Sequence, residues 1–135
     1  MVAGAASLVN RDDVRVKYVE VADVLAEIQV AWPSLEALVG DLRGRRFLAA
    51  FDPIAGWYRA CVEAPEGSLD LELPEYVIPG GAFLRVRLRG EPPGVYEEIG
   101  PAYHSLRDAG VRDDSRPSIE VYRRHDEIDV LMPVR

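Results

Sequence analysis

Glu120 and Tyr122 stand two apart in the run Ile119-Glu120-Val121-Tyr122, so in a strand they share one face while Ile119 and Val121 take the other. A carboxylate beside a phenol can hold a cation, accept a hydrogen bond or move a proton. Alternation by itself leaves two readings open, a solvated strand glutamate or one turned into a crevice. Trp57 and Tyr58 are neighbours in another strand-like run and must point to opposite faces, so at most one of them lines such a crevice. Tyr103 and Tyr76 read as core aromatics with a hydroxyl at the edge. Trp32, before Pro33, reads as an apolar staple for a helix start.

Other chemistries lack their residues. His104 and His125 are far apart and have no Cys or His at ligand spacing, so neither a metal nor another cofactor is expected. Cys61, the single cysteine, lies in the apolar-rich run Trp57 to Val62 and reads as a small packed hydrophobe, which fits a reducing cytoplasm. No Gly-x-Ser-x-Gly turn is present, and Gly80-Gly81 before a strand reads as a turn or bulge rather than a phosphate loop. Arg85, Arg87 and Arg89 alternate with Leu84, Val86 and Leu88, a pattern read as a solvated basic face. The pairs Asp12-Asp13 and Asp113-Asp114 fall in loops and are expected to be solvated.

With 16 basic against 23 acidic residues the net charge is -7, which opposes a grip on phosphate backbones, so no direct nucleic-acid partner is expected. Charges interrupt every apolar run well before the roughly 20 residues of a spanning helix, so no membrane partner is expected. Met1 to Val9 lacks the basic flank of a secretory signal and reads as a frayed terminus. The length of 135 residues matches a single domain over 1–135.

The elements that must position these groups follow from periodicity. Val14, Val16 and Tyr18 alternate, and so do Leu25, Ala26, Ile28 and Val30 around Glu27 and Gln29, which predicts one long or bent strand. Pro33, Ser34 and the spacing of Leu35, Leu38 and Leu42 predict a helix from Ser34 to Arg43. Phe47 to Phe51 and Trp57 to Glu63 form a hairpin around Asp52-Pro53 and Gly56. Ala64 to Leu73 links the halves, with Leu69, Leu71 and Leu73 as a short bridging strand. Phe83 to Gly90 is a strand. Val95 to Ala109 holds a helix that starts late or bends at Pro101, and Ile119 to Arg123 pairs with Ile128 to Pro133.

Strand, helix and hairpin thus occur twice, over about 14–64 and about 75–134. Tyr18, Val19, Leu25, Ile28 and Val30 match Tyr76, Val77, Phe83, Val86 and Leu88 at one offset, and Leu42-Arg43 matches Leu106-Arg107. Duplicated halves related by a pseudo-twofold axis leave a crevice between them suited to a ligand.

Three segments carry a family resemblance. Val77-Ile78-Pro79-Gly80-Gly81-Ala82-Phe83 is similar to the Ile-Pro-x-Gly lead into the second half of GyrI-like effector-binding domains. Pro117-Ser118-Ile119-Glu120-Val121-Tyr122, with the Met132-Pro133-Val134 close, resembles that family's Pro-x-x-Glu-x-Tyr and terminal Pro-Val. Ile99, Ala102-Tyr103 and Leu106 fit its second helix, and Phe47 to Val62 resembles its aromatic hairpin.

The resemblance implies an α+β fold of duplicated β-α-β-β, SH2-like repeats with antiparallel sheets. It also implies a small-molecule site, and there an acidic residue at the position of Glu120 meets cationic or polar ligands. The ligand-binding set is then Glu120, Tyr122, Tyr103, Trp57, Tyr58 and Phe51. With no room before Val14 for a helix-turn-helix, a free-standing member is expected, binding an amphipathic, cationic organic molecule. Two alternatives stay open: a hydrolase of cyclopropane-bearing compounds using Glu120 with Tyr103 or Tyr122, and a gyrase inhibitor acting on a protein partner. A homodimer also stays open.

Overall fold

The computed structural model describes residues 6–65 and 71–135. In chain order these form β1 (Ser7–Arg11), β2 (Val14–Ala22), α1 (Leu25–Val39), β3 (Phe47–Asp52), β4 (Trp57–Glu63) and β5 (Glu75–Ile78). Then follow β6 (Gly81–Arg89), the single turn α2 (Gly94–Glu97), α3 (Ile99–Ala109), β7 (Ser118–Arg124) and β8 (Glu127–Pro133).

The strands make one antiparallel sheet in the order β1-β6-β8-β7-β3-β4-β2-β5. Only Asp12 and Asp13 separate β1 from β2, although those strands stand near opposite ends of this order. Three residue steps reach about 10 Å, so the sheet curls until its ends meet. Pro79 and Gly80 make the same short crossing from β5 to β6, and the two crossings touch where the Gly80 N–H donates to Asp13 Oδ1 at 2.7 Å. A Cβ at Gly80 would fall on the Arg11 carbonyl, which is why glycine stands there. Enclosed by the curl is a core that draws on both ends of the sheet, with Val16, Ile78 and Phe83 packed against Leu48, Ile119 and Leu131.

The other face carries the helices. Ala31 and Leu35 of α1 pack on Ala49, Ala60 and Val62, while Ala102 and Leu106 of α3 pack on Val86, Ile128 and Val130. Leu35 and Leu106 are fully buried, each worth about 2 kcal/mol in water-to-core transfer. Each helix thus covers one half of the sheet, and the central β3–β7 seam lies between them.

Several elements depart from the sequence reading. Leu25 to Val30 is the first part of α1, not a strand, and the helix ends at Val39 rather than Arg43. Pro33 lies inside that helix, where it removes one backbone donor, and packing of the inner face overrides a propensity cost of about 3 kcal/mol. The residue matches of Leu25, Ile28 and Val30 to Phe83, Val86 and Leu88 therefore pair a helix with a strand, and exposed Leu42 does not match buried Leu106. Leu71 and Leu73 lie outside any strand, and Leu69 falls outside the described residues. Ser7 to Arg11 is a paired strand rather than a frayed end.

The hairpins β3–β4 and β7–β8 stand as expected, and the helix is reset before Pro101, which occupies the first turn of α3. Two arginines of the β6 row are ion-paired rather than simply solvated: Arg87 donates to both Asp129 oxygens at 2.7 and 3.1 Å, and Arg89 to Glu127 at 3.0 Å. Asp113 is likewise buried, not solvated, and hydrogen bonds from Ser115 and Arg116 hold its carboxyl down at about 2. Cys61 is fully buried, and desolvation pushes its thiol up to about 12.

Candidate functional site

Strand register builds the site in three rows across the helix-bearing face of the sheet. Tyr58, Phe51 and Ser118 lie side by side in the first, Ala60, Ala49 and Glu120 in the second, and Val62, Phe47 and Tyr122 in the third. Glu120 thus sits between aromatic rows, and its neighbour Ala49 is small enough to leave the carboxylate room. From above, α1 adds Trp32 and α3 adds Tyr103.

The polar groups pair within this cluster. Tyr122 Oη donates to Glu120 Oε1 at 2.6 Å, and Trp32 Nε1 donates to Tyr58 Oη at 2.9 Å. Tyr103 and Ser118 share a hydroxyl hydrogen bond of 2.9 Å. The rings close around them: Trp32 meets Tyr122 edge to face with centroids 5.2 Å apart, and Phe51 meets Tyr103 at 5.5 Å. Phe51 also stacks on Tyr58 at 6.2 Å.

Burial governs the electrostatics. Glu120 is only 7% exposed, and desolvation raises its carboxyl to about 7, with repulsion from Asp23 adding and the Tyr122 hydrogen bond opposing. Desolvation, reinforced by the Glu120 charge, pushes the Tyr58 and Tyr122 hydroxyls above the usual phenol range, so both remain donors at neutral pH. Near pH 7 the carboxyl therefore stands between its acid and its anion. In that state it can accept a cation with loss of a proton, or hand a proton to a bound molecule.

The structure brings together five of the six residues singled out from the sequence: Phe51, Tyr58, Tyr103, Glu120 and Tyr122. Trp57 is not among them. It faces the inner core, where its ring, Tyr18 and Tyr76 surround the Arg59 guanidinium at 4.2 to 4.5 Å from the ring centroids. Sequence reasoning missed Trp32, Phe47 and Asp23. The signal for Trp32 was available, because Ile28, Ala31, Trp32 and Leu35 follow helical spacing once the helix starts early.

Within this ring cluster Glu120 keeps only a small exposed edge. A surface cavity of ≈ 520 Å³ lies elsewhere, beside Leu84, Gly110 and Arg112. Away from this site Glu91, His125 and Asp126 bring their ligand atoms within 4.8 Å of one another at the β7–β8 turn, a proximity that sequence spacing hid. No helix among the described residues is long and apolar enough to cross a membrane.

No protein-family model matches the chain, and no curated protein does. Solved structures do match. An integron cassette protein from the mobile metagenome of Vibrio cholerae superposes with a TM-score of 0.79 at 13% identity, covering 99% of this chain and 98% of that one. SAV2435 bound to tetraphenylphosphonium gives 0.68 at 15% identity, covering 98% and 94%. The C-terminal domain of EcmrR gives 0.63 at 14%, covering 97% and 97%. At such identities the likeness speaks for the fold alone, and the chain shares the fold of these three structures over nearly its whole length.

Proposed function

We propose that this chain binds a lipophilic organic cation between α1 and α3, against Glu120. The observation that carries this reading is a buried carboxylate that, among the described residues, accepts one side-chain hydrogen bond, from Tyr122, within a cluster of five aromatic side chains that offer ring faces and edges. Such a charge is poorly solvated, so a cation that brings apolar surface replaces water at little cost and gains ring-face attraction. SAV2435, a structure of the same fold, is bound to tetraphenylphosphonium, a guest of this chemistry.

The helix-and-hairpin order on each side of the β3–β7 seam supports reading the fold as two β-α-β-β units about a pseudo-twofold axis. The guest site then lies where the halves meet. A second reading, hydrolysis with Glu120 as general acid or base, is favoured by one observation, the carboxyl held near 7 beside the Tyr122 phenol.

Titration calorimetry with tetraphenylphosphonium and a neutral triphenyl compound of similar size tests the binding reading. Glu120→Gln should weaken the cation by about tenfold or more, equal to about 1.4 kcal/mol, and the neutral compound by less. Equal affinities in all four combinations remove Glu120 from the site.

A further inference from the structure

The β6–β8 ladder continues beyond its last strand pair. Arg89 stands opposite Glu127, and the Gly90 N–H then donates to the Asp126 carbonyl at 3.0 Å, so the next step of the same register sets Glu91 opposite His125. Directly opposed residues of an antiparallel pair send their side chains to one side. His125 Nε2 and a Glu91 carboxylate oxygen accordingly stand 3.5 Å apart. Asp126, beside His125 in the β7–β8 turn, completes a group whose three ligand atoms all lie within 4.8 Å of one another. The backbone is held on both sides of this group. Glu127 is gripped by Arg87, Arg89 and Arg123, and the Glu91 carbonyl accepts the Val95 N–H at 3.1 Å.

The donor set selects the ion. One imidazole nitrogen with two carboxylates suits zinc and its divalent transition-metal neighbours, whereas magnesium and calcium take sets of oxygens. The two carboxylates balance the charge of a divalent ion. With zinc bonds of about 2.0–2.1 Å, the ligand atoms of a tetrahedral site stand roughly 3.4 Å apart. The Glu91–His125 pair is already at that spacing. Asp126 reaches it by a shift of about 1.4 Å or less, within the swing of its side chain. We propose that Glu91, His125 and Asp126 form a binding site for a divalent transition-metal ion of the zinc class, with its remaining coordination positions open to water. Such an ion ties the β7–β8 turn to the lead-in of α2. None of the three residues belongs to the ring cluster around Glu120, so the two sites are tested separately.

The test uses the full chain, freed of any affinity tag and of trace metal, with zinc chloride as the probe in titration calorimetry. A single zinc per chain should bind in the micromolar range. His125→Ala, Glu91→Gln and Asp126→Asn should each weaken it by about tenfold or more with unchanged circular dichroism. His104→Ala, at the other histidine of the chain, exposed on α3, should leave it unchanged. Cobalt(II) in place of zinc should give the visible absorption of a protein-bound ion, lost in His125→Ala. Absence of zinc binding leaves Glu91 and His125 as an ion pair and overturns the proposal. So does zinc held by the His125→Ala chain at wild-type affinity. Displacement of zinc by equimolar magnesium or calcium would mean that the carboxylates alone attract cations, and overturns it as well.

Discussion

Glu120→Gln should flatten the dependence of stability on pH. In the folded chain burial holds the Glu120 carboxyl at about 7, against an ordinary value of 4.5 once the chain unfolds. At low pH both states are protonated and the group contributes nothing. As pH rises through 4.5 the unfolded chain ionises first, so stability falls until the folded group also ionises near 7. Each pH unit between those two values costs about 1.4 kcal/mol, so the loss across the window is about 3 kcal/mol. Gln keeps an oxygen for the Tyr122 hydroxyl and does not titrate. Its amide donors go unpaired, a cost of about 1 kcal/mol that is the same at every pH. The slope is therefore diagnostic rather than the offset, because the other titrating groups are common to both chains. Urea unfolding at about pH 5 and about pH 8 should show the wild type losing about 2 kcal/mol relative to the variant. Parallel curves, within about 0.5 kcal/mol, would refute the buried, proton-holding carboxyl.

The same titration governs binding. Affinity for tetraphenylphosphonium should rise about tenfold from about pH 6 to about pH 8 as Glu120 ionises, and a flat calorimetric profile would contradict the charge pairing. Arg116→Ala should cost about 3 kcal/mol, because its guanidinium donates to the carbonyls of Gly80, Ala82 and Val134 and pairs with Asp113, groups it would leave unmatched. A loss below about 1 kcal/mol in denaturant unfolding would count against that latch. Gly80→Ala should cost about 2 kcal/mol or more by forcing the two crossings apart, and a change under about 0.5 kcal/mol would mean that they have room.

Where strands are buried on both faces and bounded by turn residues, their apolar runs made the sequence readable. The β3–β4 and β7–β8 hairpins follow from Leu48, Ala50, Ile119 and Leu131 on one side and from turn residues at Asp52 to Gly56. The start of α1 was not readable. Leu25 and Val30 are exposed apolar residues interleaved with Glu27 and Gln29, so the outer face imitated a strand, and Val24 offers no capping side chain to mark the helix. β1 was missed because Leu8 is 67% exposed and its partner β6 lies far along the chain. At the site, period two placed Glu120 and Tyr122 on one face, but which face is helix-covered is set by long-range packing. Trp57 and Tyr58 were separable only as a pair, and Trp32 and Asp23 depended on the helix that alternation concealed.

A crystal structure of the chain soaked or grown with tetraphenylphosphonium decides whether Glu120 receives a cation. The cation is expected between α1 and α3, its phenyl groups against Trp32, Phe51, Tyr103 and Tyr122, and the Glu120 carboxylate as its nearest charge, with Trp32 or Tyr122 turned aside to admit it. A cation seated beside Leu84 and Arg112, or a closed ring cluster around Glu120 at saturating concentration, would contradict it.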